Sequence, residues 1–293
     1  MKPGRFTYHA PRELDEALAL LKEHGDEAKV LAGGQSLMPM LNFRLAQIEH
    51  LIDINRLGGG LDEARIEAGK ITIPALVRQR KAERSPEMAR ALPLLTAALR
   101  HVAHPQIRNR GTICGSLAHA DPAAELPTVM TALDAKFTVA SADGVRTLDA
   151  TEFFQFHLTT ALEPEELLLE VTVDAPPEGT YTAFREFAAR HGDFALAGVA
   201  VTCGLDESGA VTGCRVVAAG VAPTPQRLTA AEGIAAGSRL DDATLAEIEA
   251  AAREEIEPTS DIHASAVYRR RLTGALVKRA LADVKKQQEA AHE

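Results

Sequence analysis

The sequence predicts an α+β fold made of a βαβ opening, a mixed second lobe, and a closing unit of antiparallel sheet and helices. Three observations lead there. Strand and helix patterns alternate over the first fifty-odd residues, the rhythm then shifts to hairpin signals and short helices, and a Pro-rich break at residues 175–179 precedes three long β-type runs. With 293 residues and 46% hydrophobic content the chain can fill two or three modest cores, which excludes a disordered polypeptide.

Residues 6–8 can form a short strand. Leu14, Ala17, Leu18 and Leu21 then recur at helical spacing behind Pro11, and Gly25 is placed to stop the helix. A strand over residues 29–31 runs into Gly33-Gly34, a helix begins near Met38-Pro39, and residues 50–54 complete a βαβαβ unit whose loops gather at one edge. Residues 64–67 and 71–73 flank Gly69-Lys70 as a hairpin. The helical stretch over residues 86–102 is interrupted by Pro93. Residues 104–127 are polar, punctuated by Gly and Pro, and too long for a mere connection; such segments in compact domains carry function. Further strands fall at residues 136–140, 145–148 and 167–173. Beyond the linker, residues 181–190, 195–205 and 211–219 read as three antiparallel strands, the last two joined across Ser208-Gly209. The remainder, from Thr229, is helical with a break at Glu257-Pro258. These boundaries give one domain over residues 1–176, with lobes 1–57 and 58–176, and a second over residues 177–293.

A net charge of −9 argues against a nucleic-acid surface, which needs a basic stripe against phosphates. The one basic run, Arg269-Arg270-Arg271, reads as the wet face of a helix. No apolar stretch reaches the ~18 residues of a membrane span, and Met1-Lys2-Pro3-Gly4 opens nothing like a signal peptide, so a cytoplasmic protein is expected. Cys114, Cys203 and Cys214 form neither a disulfide framework nor a CxxC or Cys/His cluster, and no iron–sulfur centre is expected on this chain. His101, His104 and His119 lack metal-ligand spacing, so no metal is expected here; ordinary polar packing or contacts at the edge of a bound cofactor are favoured, with His119 the first candidate for such a contact.

Two glycine-containing turns carry the chemistry. Ala32-Gly33-Gly34-Gln35-Ser36 lies between a strand and a helix, where successive backbone N–H groups can turn into one concavity and meet an anion. A tight strand-to-helix turn with no ligand is the alternative. No G-x-G-x-x-G occurs, and Gly58-Gly59-Gly60 lacks the strand and helix that a Rossmann fingerprint requires. The second turn is Gly111-Thr112-Ile113-Cys114-Gly115-Ser116. Two donor-rich turns, one per lobe, can grip a diphosphate from both sides, while Asp121 and Glu125 can accept hydrogen bonds from sugar hydroxyls. Asp121 before Pro122 also suits a helix N-cap.

AGGQSLMPMLNFRL, the following LIDINRL, and PQIRNRGTICGSLAHADPAAELP resemble the flavin-carrying medium subunit of the xanthine oxidase and aerobic carbon monoxide dehydrogenase family. REFAARHGDFALAGVAV and IEPTSDIHASAVYRRRL resemble that subunit's C-terminal domain, so the similarity runs over nearly the whole chain. The resemblance implies the two-lobed FAD-binding domain of the vanillyl-alcohol oxidase type, then a small domain of three-stranded antiparallel sheet plus helices. It implies that Ala32, Gly33, Gly34, Gln35, Ser36 and Leu37, with Thr112, Gly115 and Ser116, contact the diphosphate and neighbouring FAD atoms, mostly through backbone amides. Leu31, Ile113, His119 and Leu168 join the implied cofactor-contacting set; Glu125 matches the acidic position that reaches the sugar, and Asp121 is a weaker candidate. Phe194 falls where relatives carry a large side chain near the isoalloxazine; one more apolar residue at the start of a buried strand is the alternative. Cys114 replaces the family's usual Gly, so its side chain either points away from FAD or narrows the pocket, and a lone buried Cys acts as a small hydrophobe rather than as a flavin attachment point.

The implied partners are a small subunit with two [2Fe–2S] clusters and a large subunit with the molybdenum cofactor, assembled as a dimer of heterotrimers. Electrons would then run from molybdenum through the clusters to FAD and on to a quinone, NAD, oxygen or another carrier. A self-contained flavin oxidase or dehydrogenase, and a non-catalytic flavin-binding assembly protein, are the competing readings; the absence of a clear substrate domain weighs against the oxidase.

Overall fold

The computed structural model describes residues 2–292. Lobe one is a parallel sheet in the order β1-β3-β2, comprising β1 (Thr7–His9), β2 (Ala28–Leu31) and β3 (His50–Asp53), with α1 (Leu14–His24) and α2 (Leu37–Asn42) in the crossovers. α1 buries Ala17, Leu18 and Leu21 and stops at Gly25, whose positive φ lets its N–H donate to Leu21 O. That buried face packs with Ile52 and Ile54, and also with Ala75, Leu76, Ala140 and Leu167 of the second lobe. One core therefore ties the lobes together and fixes the gap between them.

Lobe two centres on a five-stranded antiparallel sheet in the order β4-β5-β10-β6-β7. Its strands are β4 (Arg65–Glu67), β5 (Lys70–Pro74), β6 (Lys136–Ser141), β7 (Gly144–Asp149) and β10 (Leu167–Asp174), and β8 (Phe154–Phe156) pairs with β9 (Thr159–Thr160) beside it. Seven short helices fill the connections: α3 (Gln79–Arg84), α4 (Pro86–Ala91), α5 (Pro93–Leu99), α6 (Pro105–Arg110), α7 (Ile113–His119), α8 (Glu125–Ala132) and α9 (Ala150–Phe153). Pro86, Pro93 and Pro105 each open a helix, where the missing N–H costs no intrahelical bond. The segment 104–127, read from sequence as polar, Gly/Pro-punctuated and too long for a mere connection, holds α6, α7 and the start of α8. These helices are only 6, 7 and 8 residues long, too short to establish a periodicity that outweighs their Gly and Pro.

The C-terminal sheet runs β11-β12-β13-β14, all antiparallel. To the three strands expected, β11 (Thr180–Ala188), β12 (Ala195–Leu205) and β13 (Val211–Ala219), the structure adds a two-residue fourth, β14 (Gln226–Arg227). β12 is apolar almost throughout because both faces are covered: Ala200 joins the lobe-two core while Val199 and Val201 join a separate C-terminal core. α5 and α8 cover one face and α12 (Ala266–His292) the other, with α10 (Thr229–Ala235) and α11 (Asp242–Glu254) completing the outer layer. Among the described residues no helix is long and apolar enough to cross a membrane.

Candidate functional site

A cleft of about 1500 Å³ runs between the lobes and is closed on its third side by the C-terminal domain. Its volume exceeds the ~300–1,000 Å³ usual for compact small ligands and suits an extended one. At its centre the two glycine turns touch. A Cβ on Gly33 would lie 2.6 Å from Arg110 O and 2.7 Å from Gly111 Cα, so backbone rests on backbone across the lobe boundary. Arg78 fastens the junction from the side: it donates to Asn55 Oδ1 of lobe one at 2.5 Å and to the carbonyl of Arg110. Asn55 in turn donates to Ala32 O at 2.8 Å, directly behind the first turn. Burial alone would raise the Asp53 carboxyl, but hydrogen bonds from Tyr8 and Asn55 hold it below the usual range, so it stays ionised and anchors this network.

The turns differ in what their amides do. Among the described residues, the backbone N–H groups of Gly33, Gly34, Gln35 and Ser36 have no acceptor within the chain, and the Ser36 hydroxyl makes no cap bond to α2. Gly34 takes φ +72°, a conformation that glycine adopts without strain. In the second turn the donors are spent locally: Ile113 N–H on Val77 O, Gly115 N–H on Thr112 Oγ1 and Ser116 N–H on Thr112 O. Four consecutive free donors lining a cleft beside a helix start fit an anionic diphosphate.

The expected site residues mostly converge here. Ala32 to Leu37 line the cleft, as do Thr112, Gly115 and Ser116, with His119, Asp121 and Glu125 further along and Leu168 and Phe194 on other walls. Leu31 and Ile113 do not line it. Ile113 is wholly buried in the lobe-two core with its N–H bonded, and Leu31 lies at the end of β2, its side chain packed beside Gly34. Asp121 is not an N-cap: it accepts from Ala123 N–H at 2.9 Å in a local turn, and α8 begins only at Glu125. Burial, then the neighbouring Glu186 carboxylate, pushes the Glu125 carboxyl up to about 8. Burial pushes His119 down, favouring the neutral ring. Phe194 is 72% exposed, which removes the reading of it as a buried strand residue. Cys114 is buried, its thiol donating to Ile73 O at 3.4 Å inside the core and pushed up to about 12 by desolvation. The residue borders the cleft, but its thiol is turned into the core and is no nucleophile.

Neither His101 nor His104 reaches the cleft wall; His101 Nδ1 faces Glu186 at 3.2 Å, and His104 packs where a side chain on Gly192 would stand. Arg269 departs most from expectation. Read as a wet residue, it is 7% exposed, lines the cleft, donates to Leu196 O at the start of β12 and to Gly220 O just past β13, and pairs with Asp261.

Residues 4–176 match the family described as the FAD binding domain in molybdopterin dehydrogenase. The chain belongs to that family. Residues 182–284 match the CO dehydrogenase flavoprotein C-terminal domain. The chain is 43% identical over 282 residues to the 6-hydroxypseudooxynicotine dehydrogenase complex subunit alpha of Paenarthrobacter nicotinovorans, covering 96% of this chain and 95% of the relative. It is 38% identical to the caffeine dehydrogenase subunit beta of a Pseudomonas species, covering 96% and 95%. Among solved structures, carbon monoxide dehydrogenase from Hydrogenophaga pseudoflava contains a chain that superposes with a TM-score of 0.94 at 39% identity, covering 98% and 99%. The two-lobed region is thus an FAD-binding domain, FAD is its cofactor, and the protein is a flavin-carrying member of the oxidoreductase complexes of this family.

Proposed function

We propose that this chain is the electron outlet of a three-subunit molybdenum hydroxylase. It receives electrons from [2Fe–2S] clusters on a small partner subunit, while the substrate is hydroxylated at a molybdenum cofactor on a large one. The carrying observation is the junction of the two turns, where four free amides of one lobe meet the backbone of the other over a cleft of about 1500 Å³. Bound FAD supplies the ability to take electrons singly and release them in pairs. The chain's own residues do the positioning: Gly33 to Ser36 hold the diphosphate, and Glu125, protonated near neutral pH, offers a donor as well as an acceptor to the sugar hydroxyls. Phe194, exposed at the cleft, covers one face of the ring without a polar atom. We take the domain division at residue 176 and the lobe division at residue 57 as the functional ones, and the complex as a cytoplasmic dimer of heterotrimers.

Relatives named for hydroxypseudooxynicotine and for caffeine align with this chain at 43% and 38% identity over nearly its full length. Such even similarity across unlike compounds supports a substrate pocket on another polypeptide. A tagged chain purified from its native host should bring down two further polypeptides together with iron and molybdenum, and its flavin should be reduced when the complex meets substrate. A solitary chain, free of both metals, that oxidises an organic substrate at full rate would overturn the assignment.

A further inference from the structure

Three histidines gather on lobe one at the sheet edge opposite the diphosphate turn. His9 ends β1, His24 ends α1 and His50 begins β3, and none of the three lines the cleft. The topology forces the meeting. α1 runs back against the parallel strands, so its last residue arrives where β3 begins, and the register Thr7↔His50 and His9↔Ile52 puts His9 and His50 on one face, a single step of the pleat apart.

The rings are close. His9 Nε2 and His50 Nδ1 are 2.9 Å apart, the His24 and His50 centroids 3.6 Å, and the His9 and His24 centroids 5.3 Å. One ring nitrogen from each lies within 4.8 Å of the other two. The carboxylates of Glu27 and Glu49 stand within the same 4.8 Å limit of each other and of a His50 nitrogen. The 2.9 Å contact sets a donor nitrogen of one ring against the acceptor lone pair of the other. The result is a set of imidazole nitrogens, half-buried, next to two exposed carboxylates and the negative end of α1. That combination is selective for a borderline divalent ion, with nitrogen ligands supplying affinity and carboxylates supplying charge. Tetrahedral Zn–N bonds of ~2.0–2.1 Å place nitrogens about 3.3 Å apart, close to the 2.9 Å that separates His9 Nε2 from His50 Nδ1.

We propose that His9, His24 and His50 form a structural binding site for a first-row divalent cation of the zinc type, with Glu27 and Glu49 in support. The ion pins β1 to α1 and β3. β1 needs such a tie: it is three residues long, two of them exposed, and pairs with one neighbour only. It also carries Tyr8, whose hydroxyl bonds Asp53 at 2.6 Å in the network behind the first turn.

The test uses the full-length chain in its purified complex, stripped with EDTA and titrated with ZnCl2 alone by calorimetry, with zinc content measured after gel filtration. The expected result is one zinc per chain above the content of His24→Gln, and a rise in Tm of about 5 °C or more at a hundredfold excess over Kd. His24→Gln and His9→Gln should each lose that zinc and that rise while keeping their flavin. Equal zinc uptake by wild type and both variants, or saturable zinc with no change in Tm, overturns the proposal. Should one variant fail to fold, the other decides alone, because each removes one of three ligands from a different element.

Discussion

The two glycine turns look alike in sequence and do opposite work. The first leaves the N–H groups of Gly33 to Ser36 without acceptors and depends on glycine for its shape; the second uses its N–H groups to build α7 and presents its neighbours' side chains, among them Glu125 and His119, to the same cleft. One turn is a cradle made of backbone and the other is a rigid wall. The difference teaches that a glycine beside a ligand cleft has two distinct uses. Gly34 supplies a positive φ, whereas Gly33 permits close approach of the other lobe, since any Cβ there would overlap Arg110 and Gly111.

The sharpest way to break that comparison is to separate the two glycines. Gly33→Ala should force the lobes apart, because its obstacle is backbone that cannot swing away; overpacking of this kind costs ~1–3 kcal/mol, a loss in flavin affinity of about fivefold to 150-fold. Gly34→Ala meets only the flexible ends of Leu31 and Met38, and its main cost is the strained φ, about 1 kcal/mol. Flavin absorbance per protein, measured across an FAD titration, ranks them. A Gly34 variant that loses more flavin than the Gly33 variant would show that the turn's own conformation, not lobe contact, limits binding.

A smaller effect is expected at the clasp. Arg78→Met removes the donors to Asn55 Oδ1 and Arg110 O while keeping a stem of similar length. Hydrogen bonds from a charged donor contribute ~1.5–3 kcal/mol, and these, being partly exposed, sit at the low end, so flavin binding should weaken roughly tenfold. Asn55→Ala should weaken it comparably, and the double variant should be little worse than either single one, because both act through one bridge. Additive losses would separate Asn55's bond to Ala32 O from Arg78's hold on Arg110.

These residues also mark how far the sequence could be read. The glycines were visible because each turn stands in a local frame of strand and helix signals. LIDINRL was visible as a motif, yet nothing in it tells that Asn55 reaches back to Ala32 and across to Arg78, since both contacts depend on the lobes having docked. Arg269 shows charge and periodicity pointing opposite ways. Thr273, Leu276, Val277, Ala280, Leu281 and Val284 form the buried stripe of α12, and stepping back four residues from Thr273 lands on Arg269. Charge suggested solvent; periodicity, extended one turn further, points to a buried position that a partner must satisfy, which Asp261 and two carbonyls do. The three histidines of lobe one lie too far apart in sequence for any ligand spacing to show, and only the parallel crossover unites them.

The smallest predicted effect tests the wall rather than the cradle. Glu125 has an ordinary carboxyl value of 4.5 and is pushed up to about 8 by burial and by Glu186. Between those two values the folded chain keeps a proton that the unfolded chain has released, so stability declines as pH rises through this window and the loss is complete above the folded value. Glu125→Gln keeps the shape of the protonated acid and cannot ionise. Its Tm should therefore fall less than the wild type's between pH 6 and pH 9, by about 3–6 °C for a chain of this size. Parallel Tm profiles would mean that the carboxyl is solvated where it meets the cleft, and the second turn would then present an ordinary anion to that cleft rather than a neutral acid able to donate.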